Sequence, residues 1–511
     1  MQIAVRGGAA EREAADALAL GIFEGTKRPS GAAQAVDKAA GGAIHEVLKS
    51  GDFTGKAGQV VVLYPTRGRL SRIILVGLGA EKGLDGERVR QAAGSAVTRA
   101  RAMGVKTLAT VVHGAGKGGL EPAAAAQAVV EGSILGNYVF GQYWTQDKDR
   151  KRQVKSLLVV EADRGRLAAV TRGARKGEIV AQAACVTRDL ASHPGQDMTP
   201  ADMATAARAI AGASTQLKAT IFGPDDLRRM KMGALLGVGR GSSQPPRLIM
   251  VDYKPKGRVK KTICIVGKGI TFDTGGISLK PADSMEKMKY DMSGGAAVLG
   301  TMNALGRLRP AGVRVIGLVA AAENMPGGRA LKPGDVVRAS NGMTIEVNNT
   351  DAEGRLVLSD ALSYAHRFKP DAVIDLATLT GAVVIALGSQ CGGIMGNDQD
   401  LIDVVLESGR RTGERLWQLP TWPEYNDLLR SDIADMKNSA GREAGTIAGA
   451  MFLAQFANGY KWVHLDIAGV AWNDRDKPYL PRGSAGFGVR LLVDYIERVS
   501  AGGTTQGSRR A

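Results

Sequence analysis

Short apolar runs alternate with helix-length stretches along most of this chain, and that alternation limits its fold more than any other feature. Residues 59–64, 72–79, 107–113 and 156–161 have the length and β-branched content of buried strands, while 84–103 and 121–135 read as helices. Strand, helix and strand in succession form the unit of a parallel sheet, so the front of the chain is expected to be a small α/β domain. The polar stretch 146–155 marks a surface loop near its end. The pattern resumes later, with strands expected at 262–266, 313–320 and 372–376 and helices at 294–308 and 353–368.

At 511 residues the chain exceeds one ordinary hydrophobic core, which calls for at least two domains. We place an N-terminal α/β domain at 1–175 and a connecting helix at 176–194, ended by Pro194. A larger α/β domain follows at 195–499. The Gly-, Ser- and Thr-rich tail 500–511 is expected to be disordered.

Charge and cysteine content narrow the function classes. The net charge is +17, and residues 1–175 carry 26 Lys and Arg against 16 Asp and Glu. That basic front admits DNA as an additional or sole partner, although a solvated basic surface is the favoured account of it. Cys185, Cys264 and Cys391 are far apart among small or apolar neighbours and are expected to be buried free thiols, which fits a cytoplasmic location. Glu11, Glu13 and Asp16 interrupt the apolar core that a signal peptide requires. No run is apolar and long enough to suggest a membrane span.

The chemistry concentrates in three clusters of the second half. Asn349-Thr350-Asp351-Ala352-Glu353-Gly354-Arg355-Leu356 packs two carboxylates and a guanidinium ahead of an apolar helical run. Read as extended, it puts Asp351, Glu353 and Arg355 on one side of the chain. Two converging acids need a cation, and oxygen ligands favour a divalent one. Gly267–Gly276, GKGITFDTGG, offers Lys268 and Asp273 in what reads as a glycine-rich turn at a strand end, with Lys280 shortly after. Met288–Gly295, MKYDMSGG, places Asp291 just before a helix, where an acid also suits the helix dipole. Together the acids Asp273, Asp291, Asp351 and Glu353 suit a two-metal centre. The five histidines, His45, His113, His193, His366 and His464, form no zinc spacing, and no phosphate-loop or G-x-S-x-G motif occurs. His113 and His464 read as core residues.

These blocks, with Ala322–Gly328 (AENMPGG) between Met288–Gly295 and Asn349–Leu356 along the chain, resemble the leucyl aminopeptidase (cytosol aminopeptidase) family, NTDAEGRL being its signature. The resemblance spans roughly residues 180 to 495 strongly. It implies a mixed central sheet flanked by helices in the larger, catalytic domain, and hydrolysis of N-terminal, Leu-like residues from peptides through a metal-bridged water. It implies two divalent ions per subunit, manganese or zinc ahead of magnesium or cobalt, on Lys268, Asp273, Asp291, Asp351 and Glu353. Lys280 then serves as electrophile, and Arg355 holds a bicarbonate that acts as base. Met288, Asn349, Thr378, Gly381, Ala468 and Ala471 are the implied substrate pocket, and a homohexamer the implied assembly.

Overall fold

The computed structural model describes residues 1–502, so the expected tail from 503 to 511 lies outside the described residues. The described chain divides into two compact units. The first comprises Met1–Cys185 with Asp474–Arg482, and the second Val186–Asn473 with the residues from Gly483 onward. The division falls inside one continuous helix, Leu167–Ser192, which begins nine residues before the connecting helix expected from sequence.

The first unit is built on six strands: β1 (Gln2–Gly7), β2 (Ala17–Phe23), β3 (Val60–Leu63), β4 (Ile73–Gly79), β5 (Thr107–Val111) and β6 (Ser156–Glu161). Their order is β1-β6-β5-β2-β4-β3, and only β3 runs antiparallel to its neighbour. Strand β4 is apolar and buried along its whole length, as a strand covered on both faces must be. The helices Gly86–Ala102 and Pro122–Gly136 start on side-chain caps from Asp85 and Glu121. They also hold a buried polar group. Arg90 Nε meets Glu131 at 2.5 Å and its Nη1 meets Glu87 at 3.0 Å, while the Tyr479 hydroxyl donates to Glu87 at 2.9 Å. Tyr479 belongs to the returning segment 474–482. Gly94 admits that segment, because a Cβ there would lie 2.6 Å from the Pro478 carbonyl oxygen.

In the second unit, an eight-stranded mixed sheet carries the architecture. Its strands are β7 (Leu217–Phe222), β8 (Arg247–Tyr253), β9 (Lys261–Asp273) and β10 (Val313–Asn324). After the small strands β11 (Asp335–Arg338) and β12 (Thr344–Val347) come β13 (Ala372–Ala377), β14 (Gly392–Gly396) and β15 (Leu416–Gln418). Strand β16 (Met436–Lys437) joins the small pair, and β17 (Trp462–Asp466) completes the large sheet. The order is β15-β14-β17-β13-β9-β10-β8-β7. The four central strands β17, β13, β9 and β10 run parallel, so their carboxyl ends emerge together, where open α/β sheets bind ligands. Strands β11, β12 and β16 form a separate three-stranded sheet, and Trp472–Asn473 (β18) pairs with Gly483–Ser484 (β19).

Strand β9 corrects the reading of residues 267–269 as a turn. It continues through Gly267, Lys268 and Gly269 to Asp273. Its glycines serve close packing: a Cβ on Gly267 would lie 2.5 Å from the Gly294 carbonyl oxygen, and one on Gly269 would lie 2.7 Å from Val319 Cγ1. On the opposite face, Cys264, Val266 and Ile270 enter the core formed with Leu356, Val357 and Leu362 of the helix Glu353–Ala365. Lys268 shares that face. Cys264 is fully buried, whereas Cys185 and Cys391 are only partly covered, and all three are free thiols.

The helix Glu353–Ala365 is tied down by a buried acid. Asp360 Oδ2 accepts from the Leu235 amide at 2.8 Å and Oδ1 from the Ser340 amide at 2.7 Å, and burial pushes its carboxyl up to about 7. Replacing Asp360 by Ala orphans two backbone donors at a cost of about 2–4 kcal/mol. Thermal unfolding of Asp360→Ala is expected to show a lowered midpoint for the second unit, and an unchanged midpoint would refute the role.

Candidate metal centre

Apart from Lys268, which lies within a strand, the candidate ligands stand where a strand ends or a helix begins. Lys268 lies in β9 with its side chain only 3% exposed, and Asp273 closes the same strand. Asp291 belongs to the 3₁₀ turn Met285–Met292 that enters the helix Ser293–Leu308. Asp351 sits in a turn in which its own amide donates to Asn349 Oδ1 at 2.9 Å, and Glu353 is the first residue of the next helix. The 349–353 segment is therefore not extended. A turn followed by a helix start, rather than strand alternation, brings Asp351 and Glu353 together.

The Lys268 ammonium lies 2.8 Å from Asp291 Oδ2 and 2.7 Å from Glu353 Oε1, and it donates to the Thr378 carbonyl at 2.9 Å. Its backbone neighbour is Gly354, where a Cβ would stand 2.7 Å from Lys268 Nζ. Lys280 Nζ is 2.9 Å from Asp273 Oδ2 and 2.5 Å from Asp351 Oδ1. Gly275, at φ +87°, allows the turn that carries Lys280 back; the Lys280 amide closes it by donating to the Thr274 carbonyl at 2.9 Å.

Burial raises the carboxyls of Asp291, Asp351 and Glu353 above the ordinary range, and neighbouring carboxylates add to the effect. Burial opposes the charged forms of Lys268 and Lys280 as well. The surrounding acids, led by Asp291 at Lys268 and by Asp273 at Lys280, outweigh it and raise both amines. The cluster thus holds positive charge tightly among crowded acids. Ligand oxygens of Asp273, Asp351 and Glu353 lie within 4.8 Å of one another, and Glu353 Oε2 is buried without a hydrogen-bond partner. Carboxylates at this spacing, with one oxygen unsatisfied and an amine beside them, fit divalent cations.

Three residues hold the site in roles that the sequence did not signal. Asn324, at the end of β10, donates to Asp273 Oδ1 at 2.8 Å and to the Thr350 carbonyl at 3.0 Å, linking two ligand-bearing segments. Thr378, expected only in the substrate pocket, donates to Asp291 Oδ1 at 2.7 Å. Asp466, at the end of β17, accepts from Thr380 Oγ1 at 2.6 Å and from the Leu379 amide at 3.2 Å, fixing the loop after β13. Emergence at the ends of parallel strands is their common signal. It appears only once the strand order is known.

Arg355 is buried beside the cluster. Its Nη1 donates to the Asn438 carbonyl at 2.9 Å, while Nε has no hydrogen-bond partner. Burial brings its guanidinium down to about 10, against the pull of Glu353 and Asp466, so it stays charged at neutral pH. A cavity of about 300 Å³ opens over the cluster and includes all five candidate ligands, Lys280 and Arg355 in its lining. Met288, Asn349, Thr378, Gly381 and Ala468 line it too, as do Tyr290, Leu379 and Val384, which the sequence did not single out. Ala471 is 1% exposed and is not among the lining residues. His464 is fully buried, with Nδ1 2.6 Å from Asp375 Oδ1, and His113 is buried 3.2 Å from Thr110 Oγ1.

Comparison with known proteins finds relatives for both parts of the chain. Residues 185–493 match the catalytic domain of the cytosol aminopeptidase family, and residues 19–147 match that family's N-terminal domain. A probable cytosol aminopeptidase of Geobacter sp. (strain M21) is 46% identical over 489 residues, 95% of this chain and 97% of that protein. One from Roseiflexus castenholzii is 43% identical over 499 residues, 97% of this chain and 99% of its own. Among solved structures, a tomato leucine aminopeptidase mutant superposes with a TM-score of 0.87 at 34% identity, covering 98% of this chain and 96% of its own. The bottromycin maturation enzyme BotP in complex with Mn gives 0.84 at 36% identity, covering 95% of this chain and all of its own.

Two substitutions test the holding groups. Asn324→Ala is expected to weaken metal affinity by about 10–100-fold, the usual effect of losing a residue that orients a ligand. Gly354→Ala should leave a folded protein with weakened metal binding, because its methyl displaces the Lys268 amine. Metal titration beside circular dichroism checks both, and wild-type affinity in either variant would contradict the geometry.

Proposed function

The chain belongs to the cytosol aminopeptidase family and is a metallo-aminopeptidase; we propose that it releases Leu-like N-terminal residues from peptides, with Lys268, Asp273, Asp291, Asp351 and Glu353 holding two divalent ions. The observation that carries this reading is the convergence of those five side chains in one cavity with Lys280 and Arg355. Manganese and zinc are the preferred pair, and the Mn named with BotP supports the first. When bound, the ions supply Lewis-acid polarisation and lower the pKa of water.

The protein's own side chains divide the remaining work. Lys280 is 22% exposed against 3% for Lys268, which makes it the cation that faces incoming substrate. Its ammonium is placed to stabilise negative charge developing on the scissile carbonyl oxygen. Arg355 keeps Nε free and buried, a donor suited to one edge of a planar anion such as bicarbonate, which would take the proton from the attacking water. Met288, Leu379, Ala382, Val384 and Ala468 give the cavity an apolar wall for a branched aliphatic side chain. A carboxylate-rich centre also suits a free α-amine, hence selection of the N-terminal residue.

We assign the domains as 1–175, a connecting helix 176–194 and a catalytic domain 195–499. A homohexamer is the proposed assembly. Ile385, Trp417, Trp422 and Ile433 are 62–89% exposed, apolar surface of the kind that further copies of the chain cover. Three free thiols accord with a reducing cytoplasm, and among the described residues no helix is long and apolar enough to cross a membrane.

Leucine anilide should be hydrolysed and its N-acetyl derivative should not; chelation should abolish the activity and Mn²⁺ or Zn²⁺ restore it. Arg355→Ala is expected to lose about 10²–10⁴-fold in kcat with its metals retained. Full activity of Arg355→Ala in bicarbonate-free buffer would remove the assigned base, and hydrolysis of the acetylated substrate would remove the aminopeptidase reading.

A further inference from the structure

Strands β12 and β16 run parallel, Ile345 beside Met436 and Glu346 beside Lys437. Both then leave the sheet together. One continues into Asn348–Ala352, which carries Asp351 toward the metal cluster, and the other into Asn438. Backbone pairing cannot follow the first segment into its turn, and the Asn438 side chain takes its place.

Asn438 has no exposed surface. Its Oδ1 accepts from the amides of Asn348 at 3.0 Å and Asn349 at 3.3 Å. Its Nδ2 donates to the carbonyls of Asn349 at 2.7 Å and Ala352 at 3.3 Å. Its own carbonyl accepts from Arg355 Nη1 at 2.9 Å, and its amide donates to the Glu346 carbonyl at 2.9 Å. An asparagine side chain offers two donors and two acceptor sites, and here both donors and the carbonyl oxygen are spent on the segment that bears Asp351. One buried residue therefore grips the loop carrying a metal ligand with its side chain and the guanidinium of Arg355 with its backbone.

We propose that Asn438 is a positioning residue for the peptidase reaction, setting Arg355 in register with the Asp351–Glu353 metal ligands. The inference rests on the roles given above to Arg355 and to the metal ligands. Its logic is geometric: Arg355 follows Glu353 by two residues on a helix, so the helix alone fixes their spacing but not the direction of the long guanidinium side chain. The Asn438 carbonyl supplies that direction, and the Asn438 amide fixes where the carbonyl stands relative to the 349–352 turn. Loss of the amide lets the two drift independently, and a displacement of reacting groups by about 1 Å can cost about 10²-fold in rate.

A neighbouring pair provides the control. Asn348 Nδ2 donates to the Ser439 carbonyl at 2.9 Å and the Ser439 amide donates to Asn348 Oδ1 at 3.0 Å, joining the same two segments on their exposed side. A role limited to zipping the segments together would be shared by both residues. A role in aligning the site belongs to Asn438 alone.

Steady-state hydrolysis of leucine anilide by the Mn²⁺-loaded full-length enzyme, with metal content and thermal midpoint measured in parallel, tests the proposal. Wild-type turnover establishes the underlying peptidase reading first, so its failure is separate from failure of this inference. Asn438→Ala is expected to lose at least about 30-fold in kcat, with KM within about threefold of wild type and the metals retained. Asn438→Asp keeps the shape and the two amide contacts but sets a carboxylate oxygen against the carbonyls of Asn349 and Ala352, and its kcat should fall at least as far. Asn348→Ala should stay within about twofold. Near-wild-type kcat in Asn438→Asp, or an equal loss in Asn348→Ala, would overturn the proposal. Should Asn438→Ala not fold, the Asn438→Asp and Asn348→Ala comparison decides it.

Discussion

A lysine ammonium buried between two carboxylates is the interaction on which the rest of the catalytic unit depends. Lys268 meets Asp291 and Glu353 at 2.8 and 2.7 Å with almost no exposure of any of the three. Removing one partner from such a group is costly, because it leaves an unpaired charge in a dry interior. The fold meets that demand by converging backbone elements on it. Strand β9 supplies Lys268, the entry to one helix supplies Asp291 and the start of another supplies Glu353. Glycines at 267, 294 and 354 allow the approach, since a Cβ at any of them would press within 2.7 Å of a neighbouring atom. The same crowding of acids that requires the ammonium groups prepares the site for divalent cations.

Parallel strand order explains why this chemistry gathers at one edge. Strands β17, β13, β9 and β10 point the same way, and their ends deliver Asp466, Thr378, Asp273 and Asn324 in turn. Asn324 and Asp466 orient other groups: Asn324 steadies Asp273 and the 350 turn, and Asp466 steadies the loop after β13. The site is thus an outcome of topology as well as of a few reactive residues. The first unit uses the same α/β principle with a buried Arg90–Glu131 pair and closes on a segment returned from much later in the chain.

Much of this was legible in the sequence because the ligands lie in compact blocks of unusual composition. The strands β4 and β6 and the helices after β4 and β5 were legible too, as strongly patterned segments are. The glycines of β9 misled, since Gly-Lys-Gly suggests a turn when the requirement is close packing inside a strand. Strands β1 and β2 were missed: β1 is half exposed, and β2 interleaves small residues that weaken its apolar signal. Asn438 carries no local pattern, and the AENMPGG block does not mark Asn324 as a holding group, because a single asparagine gains that meaning only from the two segments it joins in space. The expectation of an extended 351–355 stretch gave the right neighbours by the wrong geometry. Ala471, expected in the pocket, is buried and is not among the residues that line the cavity.

We infer that five residues, one of them a lysine that must surrender its proton, hold two divalent ions. Calorimetric titration of metal-depleted protein with Mn²⁺, repeated in buffers of different ionisation enthalpy, tests it most directly. Saturation at two ions per chain with net proton release is expected, as the Lys268 amine exchanges its proton for a metal. Saturation at a single ion, or uptake of two with no proton released, would contradict it.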